Sequence, residues 1–371
     1  MSSPMLPLSR YFGFLIGTSI AIGAAGIGCS VYERLTYRAY RLGIGGDLLF
    51  TPYYLGRLAL ITMLVLLLVG GIYRLCDPGS PIFYHALSRA KQRVVYTMAA
   101  AAGVFVVLFA ANRALFTRAA HEDGPVEWAT ALIPLAASAA FFFVFFRILR
   151  APSNARRTVA LGFTALFSGG LFVVGMEEIS WMQRVFGFAT PELFKANEKG
   201  ETNLHNLYNT LYFNVLYRTA VFGGLIVLPF LAETAPKVRL FECVSDFLPS
   251  RFVLAISAPL VGFEYHQWNF FLAPFLLVLA TGILVCYAIA AWRRGDRSEA
   301  ILFSVLALFV IAAQGVFMWQ GAGAGLAAWY IAEYRELLMA AGLAVFSAET
   351  ISRLATRYPP GARVGPIPVP R

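Results

Sequence analysis

One feature recurs along most of this chain: apolar runs of close to 20 residues, separated by short polar stretches. That is the length an α-helix needs to cross the ~30 Å hydrocarbon core of a bilayer. Clear runs fall at about 11–32, 54–75, 94–116, 126–147, 158–177, 207–231, 270–292, 299–319 and 326–349. A tenth stretch, "RFVLAISAPLVGFEYHQW" at 251–268, is different. Its apolar part is short for a straight span and Pro259 interrupts it, as in a broken or re-entrant helix.

Composition excludes a soluble origin for these runs. The 371 residues are 59% hydrophobic and only 13% charged, where soluble domains carry roughly 25% charged residues. Mean hydropathy is +0.67. The expected fold class is therefore all-α, a polytopic transmembrane bundle of about ten spans. A single integral membrane domain is expected over 1–352, with a Pro-rich, basic, disordered tail over 353–371. "YFGFLIGTSIAIGAAGIGCSVY" reads as an uncleaved first span. Four scattered cysteines, Cys29, Cys76, Cys243 and Cys286, have no zinc spacing.

The net charge of +10 is not a nucleic-acid signal, because the basic residues flank apolar runs. If 251–268 crosses, the loops alternate between two sides, with 19 of the 30 Lys and Arg on one side and nine on the other. Arg218 and Arg335 lie inside spans. The positive-inside rule then puts both termini in the cytoplasm of a bacterial inner membrane. The first outer loop, "YERLTYRAYR", runs against this bias.

The same topology brings unusual polar residues to one membrane face. "GMEEISWMQRVFG" places Glu177, Glu178, Trp181, Gln183 and Arg184 at the outer end of the fifth span. "ETNLHNLYN" places Glu201, Asn203, His205 and Asn206 at the start of the sixth. "FEYHQWN" offers Glu264 and His266, and "WYIAEYRE" offers Glu333 and Glu336. Ionisable residues at membrane depth are costly and mark functional sites. Glu177 and Glu178 are about 100° apart on a helix, so one is expected to face the bundle and the other to pair with Arg184 or meet water. If helical, Glu201 and His205 share a face. Glu333 and Glu336 share a face, with Arg335 turned towards another carboxylate.

Carboxylates and imidazoles from four segments form the type of donor set that binds zinc, iron or manganese. Glu178, His205, Glu264, His266 and Glu333 are the expected ligands, with Glu177 or Glu336 as general base. Glu201, Asn203, Asn206, Gln183, Arg184 and Trp181 would line the site. No HExxH, DxD, GxSxG or Walker motif is present.

The run "MEEISWMQRVFGFATPELFKANEKGETNLHN" resembles a motif of a group of bacterial polytopic membrane proteins, spelled roughly EEISW-x-QR-x-FG, TPE, N and E-x-NLHN. It is carried by Glu177, Glu178, Trp181, Gln183, Arg184, Gly187, Thr190, Pro191, Glu192, Asn197, Glu201, Asn203, His205 and Asn206. The resemblance covers about 30 of 371 residues. It implies one site across this block and brings no activity with it. Its pattern has Gly where this chain has Met182, a departure expected to affect helix packing.

Three functions fit these observations. The first is a metal-dependent membrane enzyme acting on a lipid, a lipid-linked or a small periplasmic substrate. The second is a proton- or cation-coupled transporter, favoured by Arg218 within a span and by the short seventh span. The third is a scaffold whose acidic outer face binds a cationic partner.

Overall fold

A computed structural model describes residues 8–37, 51–76, 79–195, 197, 200–204, 210–235, 241, 244–264, 271–321, 327 and 329–359. All regular structure among the described residues is helical. Ten helices are long and apolar enough to cross a membrane. They are α1 (Leu8–Tyr37), α2 (Pro52–Leu75), α3 (Arg89–Ala111), α4 (Pro125–Leu149), α5 (Ala155–Glu178), α6, α7, α8 (Leu272–Arg293), α9 (Arg297–Gly321) and α10 (Ile331–Arg357). α6 joins Thr210–Phe222 to Leu228–Thr234 through a π-helical turn at Gly223–Val227. α7 is α-helical over Arg251–Ser257 and 3-10 over Ala258–Phe263. The chain is a polytopic helical membrane protein.

Local chemistry starts the helices where the sequence supplies caps. Thr51 accepts from the Tyr54 N–H, with Pro52 in the first turn of α2. Ser88 caps α3, Asn154 caps α5, and Ser250 accepts from the Phe252 and Val253 N–H groups of α7. Asn112 ends α3 and caps the short helix Arg113–Ala120 that leads to α4.

The unusual seventh segment does traverse the bundle. Arg251 at its start bonds Glu233 and Glu299, while Glu264 at its end meets Arg218 and Arg335. One α-helical turn pair and six 3-10 residues rise only about 22 Å. This short rise suffices because α7 does not meet lipid. It is the most enclosed span, with Val253, Leu254, Ala255, Ala258, Val261 and Phe263 all at 0% exposure. It packs against α3, α6, α8, α9 and α10. Near its end the Gln314 side chain of α9 donates to Val261 O at 2.9 Å, beside the Glu264 N–H that shares this carbonyl.

The bundle thus has two faces. One carries the Arg113–Ala120 helix, the chain from 179 to 204, Glu264 and the start of α10, and is called the site face below. The opposite face is tied together by Arg251, which donates to Glu233, Glu299, His85 O and Pro81 O, and by Arg294, which donates to Glu299 and Ile82 O. α10 runs to Arg357, past the tail boundary expected at 353, because Arg353 donates to the carbonyls of Ser245, Asp246 and Leu248 and Arg357 pairs with Asp246. Residues 360–371 of that tail lie outside the described residues.

Candidate functional site

The site face has an outer cap and a buried layer beneath it. The cap begins where α5 ends. Ser180, Trp181 and Met182 all have positive φ, at 47°, 55° and 64°. Three consecutive non-glycine residues in this region form a strained left-handed turn. Side chains hold it. Trp181 Nε1 donates to Glu177 Oε1 at 2.6 Å, and Asn203 Nδ2 donates to Ser180 Oγ at 3.4 Å. At Met182 it is thus the backbone conformation that places the demand on the residue. Glycine reaches φ +64 without a Cβ penalty.

The turn delivers Gln183 and Arg184 to the incoming strand of chain. Gln183 Oε1 accepts from the Thr202 N–H at 2.7 Å and from Thr202 Oγ1 at 2.8 Å. Its amide donates to Thr190 Oγ1 at 3.0 Å and to Gly200 O at 3.3 Å. Leu204 N–H donates to Glu177 Oε2 at 2.6 Å. Asn197 donates to Glu201 O and Asn203 Oδ1, and Asn203 to Glu201 Oε2 at 2.8 Å.

Arg184 is the hub of the cap. It pairs with Glu201, with Glu122 at 3.4 Å, with Asp123 at 3.3 Å and with Glu127 at 3.6 Å. Burial alone would lower its pKa, but Glu201, Glu127 and Asp123 together raise it, so the guanidinium stays charged.

Beneath the cap lies a charged layer made from three spans and the end of α7. Glu264 Oε2 stands 3.4 Å from Arg218 Nη1 and 3.7 Å from Arg335 Nη1. Arg335 Nη2 donates to Glu336 Oε1 at 3.2 Å. Arg218, Glu264 and Arg335 are 3%, 2% and 1% exposed. Among the described residues, the Nε groups of both arginines and Nη1 of Arg335 have no hydrogen-bond acceptor. Glu178, at the last turn of α5, is close enough to interact electrostatically with Glu336 and Glu333, and Tyr217 of α6 sits beside Glu178, Glu336 and Arg335. The π turn at Gly223–Val227 lies two turns further along α6, a feature frequent at functional sites.

The expected residues divide between the two layers. Glu177, Trp181, Gln183, Arg184, Glu201 and Asn203 build the cap, while Glu178, Glu264, Glu333 and Glu336 belong to the buried layer. Glu201–Leu204 is not helical. Gln183 and Glu177 take the Thr202 and Leu204 N–H groups, so Glu201 stands on an irregular stretch. Among the described residues Arg184 pairs with Glu201, with Glu122 and Asp123 of the loop before α4 and with Glu127 in its first turn, rather than with Glu177 or Glu178. Arg335 does meet a distant carboxylate, Glu264, yet it also bonds its neighbour Glu336. His205, Asn206 and His266 lie outside the described residues.

Sequence reasoning overlooked Glu122, Asp123, Glu127 and Tyr217. "HEDGPVE" holds three acids in seven residues between two spans, a density that was available as a signal. Tyr217 gave none, being one aromatic residue in an aromatic-rich helix. Among the described residues no group of three or more His, Cys, Asp or Glu is placed to hold a metal ion. Glu264 faces two guanidinium groups, a setting that disfavours an additional cation. Compared with family models, with curated proteins and with solved structures, the chain matches none of them.

Proposed function

We propose that this is a multi-pass protein of the bacterial inner membrane, with cytoplasmic termini, whose outward-facing buried layer binds an anionic group of a lipid, lipid-linked or small substrate. The observation that carries this reading is the pair Arg218 and Arg335. Both are almost fully buried beside Glu264, and both have guanidinium N–H groups that no acceptor among the described residues meets. A buried donor of this kind is costly unless an acceptor reaches it. A planar guanidinium suits carboxylate or phosphate oxygens, which accept two N–H bonds at once. Glu264 holds the two cations near each other and offsets part of their mutual repulsion. Glu178 and Glu336 stand beside this place and supply acid–base groups for proton transfer at the bound substrate, as an enzyme or a proton-coupled carrier requires. The cap, crosslinked through Arg184, keeps bulk water from this layer.

Lysine in place of arginine keeps the charge and loses the planar fork. Binding of short-chain phosphatidic acid, a short polyprenyl phosphate and a small dicarboxylate to protein in nanodiscs is the test. At least one should bind, and Arg335→Lys and Arg218→Lys should each weaken it about 10-fold or more, the loss of one bidentate charge-assisted contact. Binding of none of the three, or equal binding by both variants, overturns the reading.

A divalent metal is a second reading, favoured by the closeness of Glu178 to Glu333 and Glu336. Carboxylates gathered in this way repel one another without a compensating proton or cation. Glu178 and Glu333 would hold the ion together with His205 and His266, and it would supply Lewis-acid polarisation of the substrate. Elemental mass spectrometry of the purified protein and of His205→Ala decides this. Near-stoichiometric zinc, iron or manganese that falls in the variant supports the metal, and none in either sample after metal supplementation removes it.

A further inference from the structure

The opposite face holds a second charged feature that the layer described above does not use. A cleft of about 560 Å3 opens between the ends of α2 and α8 and the short helix Pro81–Tyr84. Its lining combines Arg74, Arg293 and Arg294 with the aromatic residues Tyr73, Phe83 and Tyr84. No acid is among the described lining residues.

The three arginines are not equivalent. Arg294 is committed to the fold, donating to Ile82 O and to Glu299, each at 2.6 Å. Arg74 and Arg293 form no ion pair among the described residues. Arginine at the last turn of a helix often does no more than complement the helix dipole. Arg293 departs from that pattern. Its guanidinium lies over the Tyr73 ring, 5.6 Å from the centroid, across the cleft from its own helix. The Tyr73 hydroxyl is shielded from solvent, and Arg293 is its nearest charged neighbour among the described residues. The cleft therefore holds two guanidinium groups without a carboxylate partner among the described residues, one of them set against the Tyr73 ring, and such groups suit phosphate oxygens.

Its surroundings indicate what carries the phosphate. Tyr84 in the lining and Trp292, next to Arg293 in the sequence, are 69% and 67% exposed, as aromatic side chains are at the headgroup level of a bilayer. Beyond them, the lipid-facing sides of α2 and α8 continue as apolar surface, with Leu66, Leu67, Val285 and Ile289 exposed. We infer that this cleft binds the phosphate headgroup of an anionic glycerophospholipid, with the acyl chains along α2 and α8. Basic clefts between helix ends are a physically suitable site for such headgroups.

Native mass spectrometry tests this on the whole protein, equilibrated in detergent with equimolar phosphatidylglycerol and phosphatidylcholine of matched chains. The wild type should retain phosphatidylglycerol at least five-fold over phosphatidylcholine. Arg74→Gln/Arg293→Gln should bring that ratio close to one. Arg118→Gln, an exposed arginine on the site face, should leave it unchanged, and so should millimolar inorganic phosphate. Arg293→Lys guards against misfolding, since it keeps the charge and should keep most of the preference. Equal retention of both lipids by the wild type overturns the inference, as does a preference that survives in the double variant. Displacement by inorganic phosphate alone would identify a free-phosphate site and overturn the lipid assignment.

Discussion

Met182 shows how much a single residue can reveal. It is the last of three left-handed residues that turn the chain from α5 into the cap. An L-residue with a Cβ resists this conformation, at a cost of roughly 1–2 kcal/mol. The neighbouring bonds of Glu177 to Trp181 and of Asn203 to Ser180 compensate for it. Met182→Gly should therefore stabilise the protein by about 1 kcal/mol despite the greater freedom of glycine when unfolded. The apparent unfolding temperature of detergent-purified protein checks this, and a decrease would show that the methionine side chain contributes more than its backbone costs. The same spelling, "EEISW", identified the glutamates as special but not their division of labour. Glu177 and Glu178 are adjacent, yet one crosslinks the cap and the other reaches α10. Their 100° separation required different directions, and only the folded loop decided which direction was which.

Among the elements, α7 is the clearest case of context overriding a length rule. A dozen apolar residues interrupted by proline would be inadequate facing lipid. Enclosed by five other spans, the segment needs only to connect two charged layers. Close packing here depends on Gly342 of α10. A Cβ at that position would lie 2.4 Å from Ser257 Oγ and 2.9 Å from Leu225 Cδ1. Gly342→Ala should destabilise the bundle by about 1–3 kcal/mol through overpacking. Ser257 Oγ is itself buried without a hydrogen-bond partner, so Ser257→Ala should be neutral or slightly stabilising. The double variant should recover at least about 0.5 kcal/mol relative to Gly342→Ala, a coupling expected of contacting residues. Strict additivity in a thermal or denaturant series would show that the two helices do not meet as described.

For the whole molecule, the two faces are chemically distinct. The site face gathers glutamates around Arg184, Arg218 and Arg335, and the opposite face gathers arginines around Glu233, Glu299 and Asp246. The proposed orientation follows from the excess of basic residues on that opposite face. It can be read with a membrane-impermeant maleimide in a variant whose four native cysteines are replaced. Glu192→Cys, in the exposed part of the cap loop, should be labelled in intact spheroplasts, and Ser153→Cys, between α4 and α5, only after permeabilisation. The reverse pattern inverts the orientation, and labelling of both in intact spheroplasts contradicts the alternation of spans.

Apolar run length and the Lys and Arg bias were enough to define ten helices, their approximate ends and the face on which the acids would gather. These are local properties, since a helix in lipid satisfies its own backbone and its length is set by the bilayer. The pairing of charges was not local. That Arg184 binds the acids before α4, that Glu264 sits between Arg218 and Arg335, and that Glu201 precedes its helix all depend on which spans adjoin. Helix neighbours are chosen by packing among many similar apolar surfaces, and no spacing along the chain encodes that choice. Tertiary structure alone decided that the central charges of this protein are arginine and glutamate together.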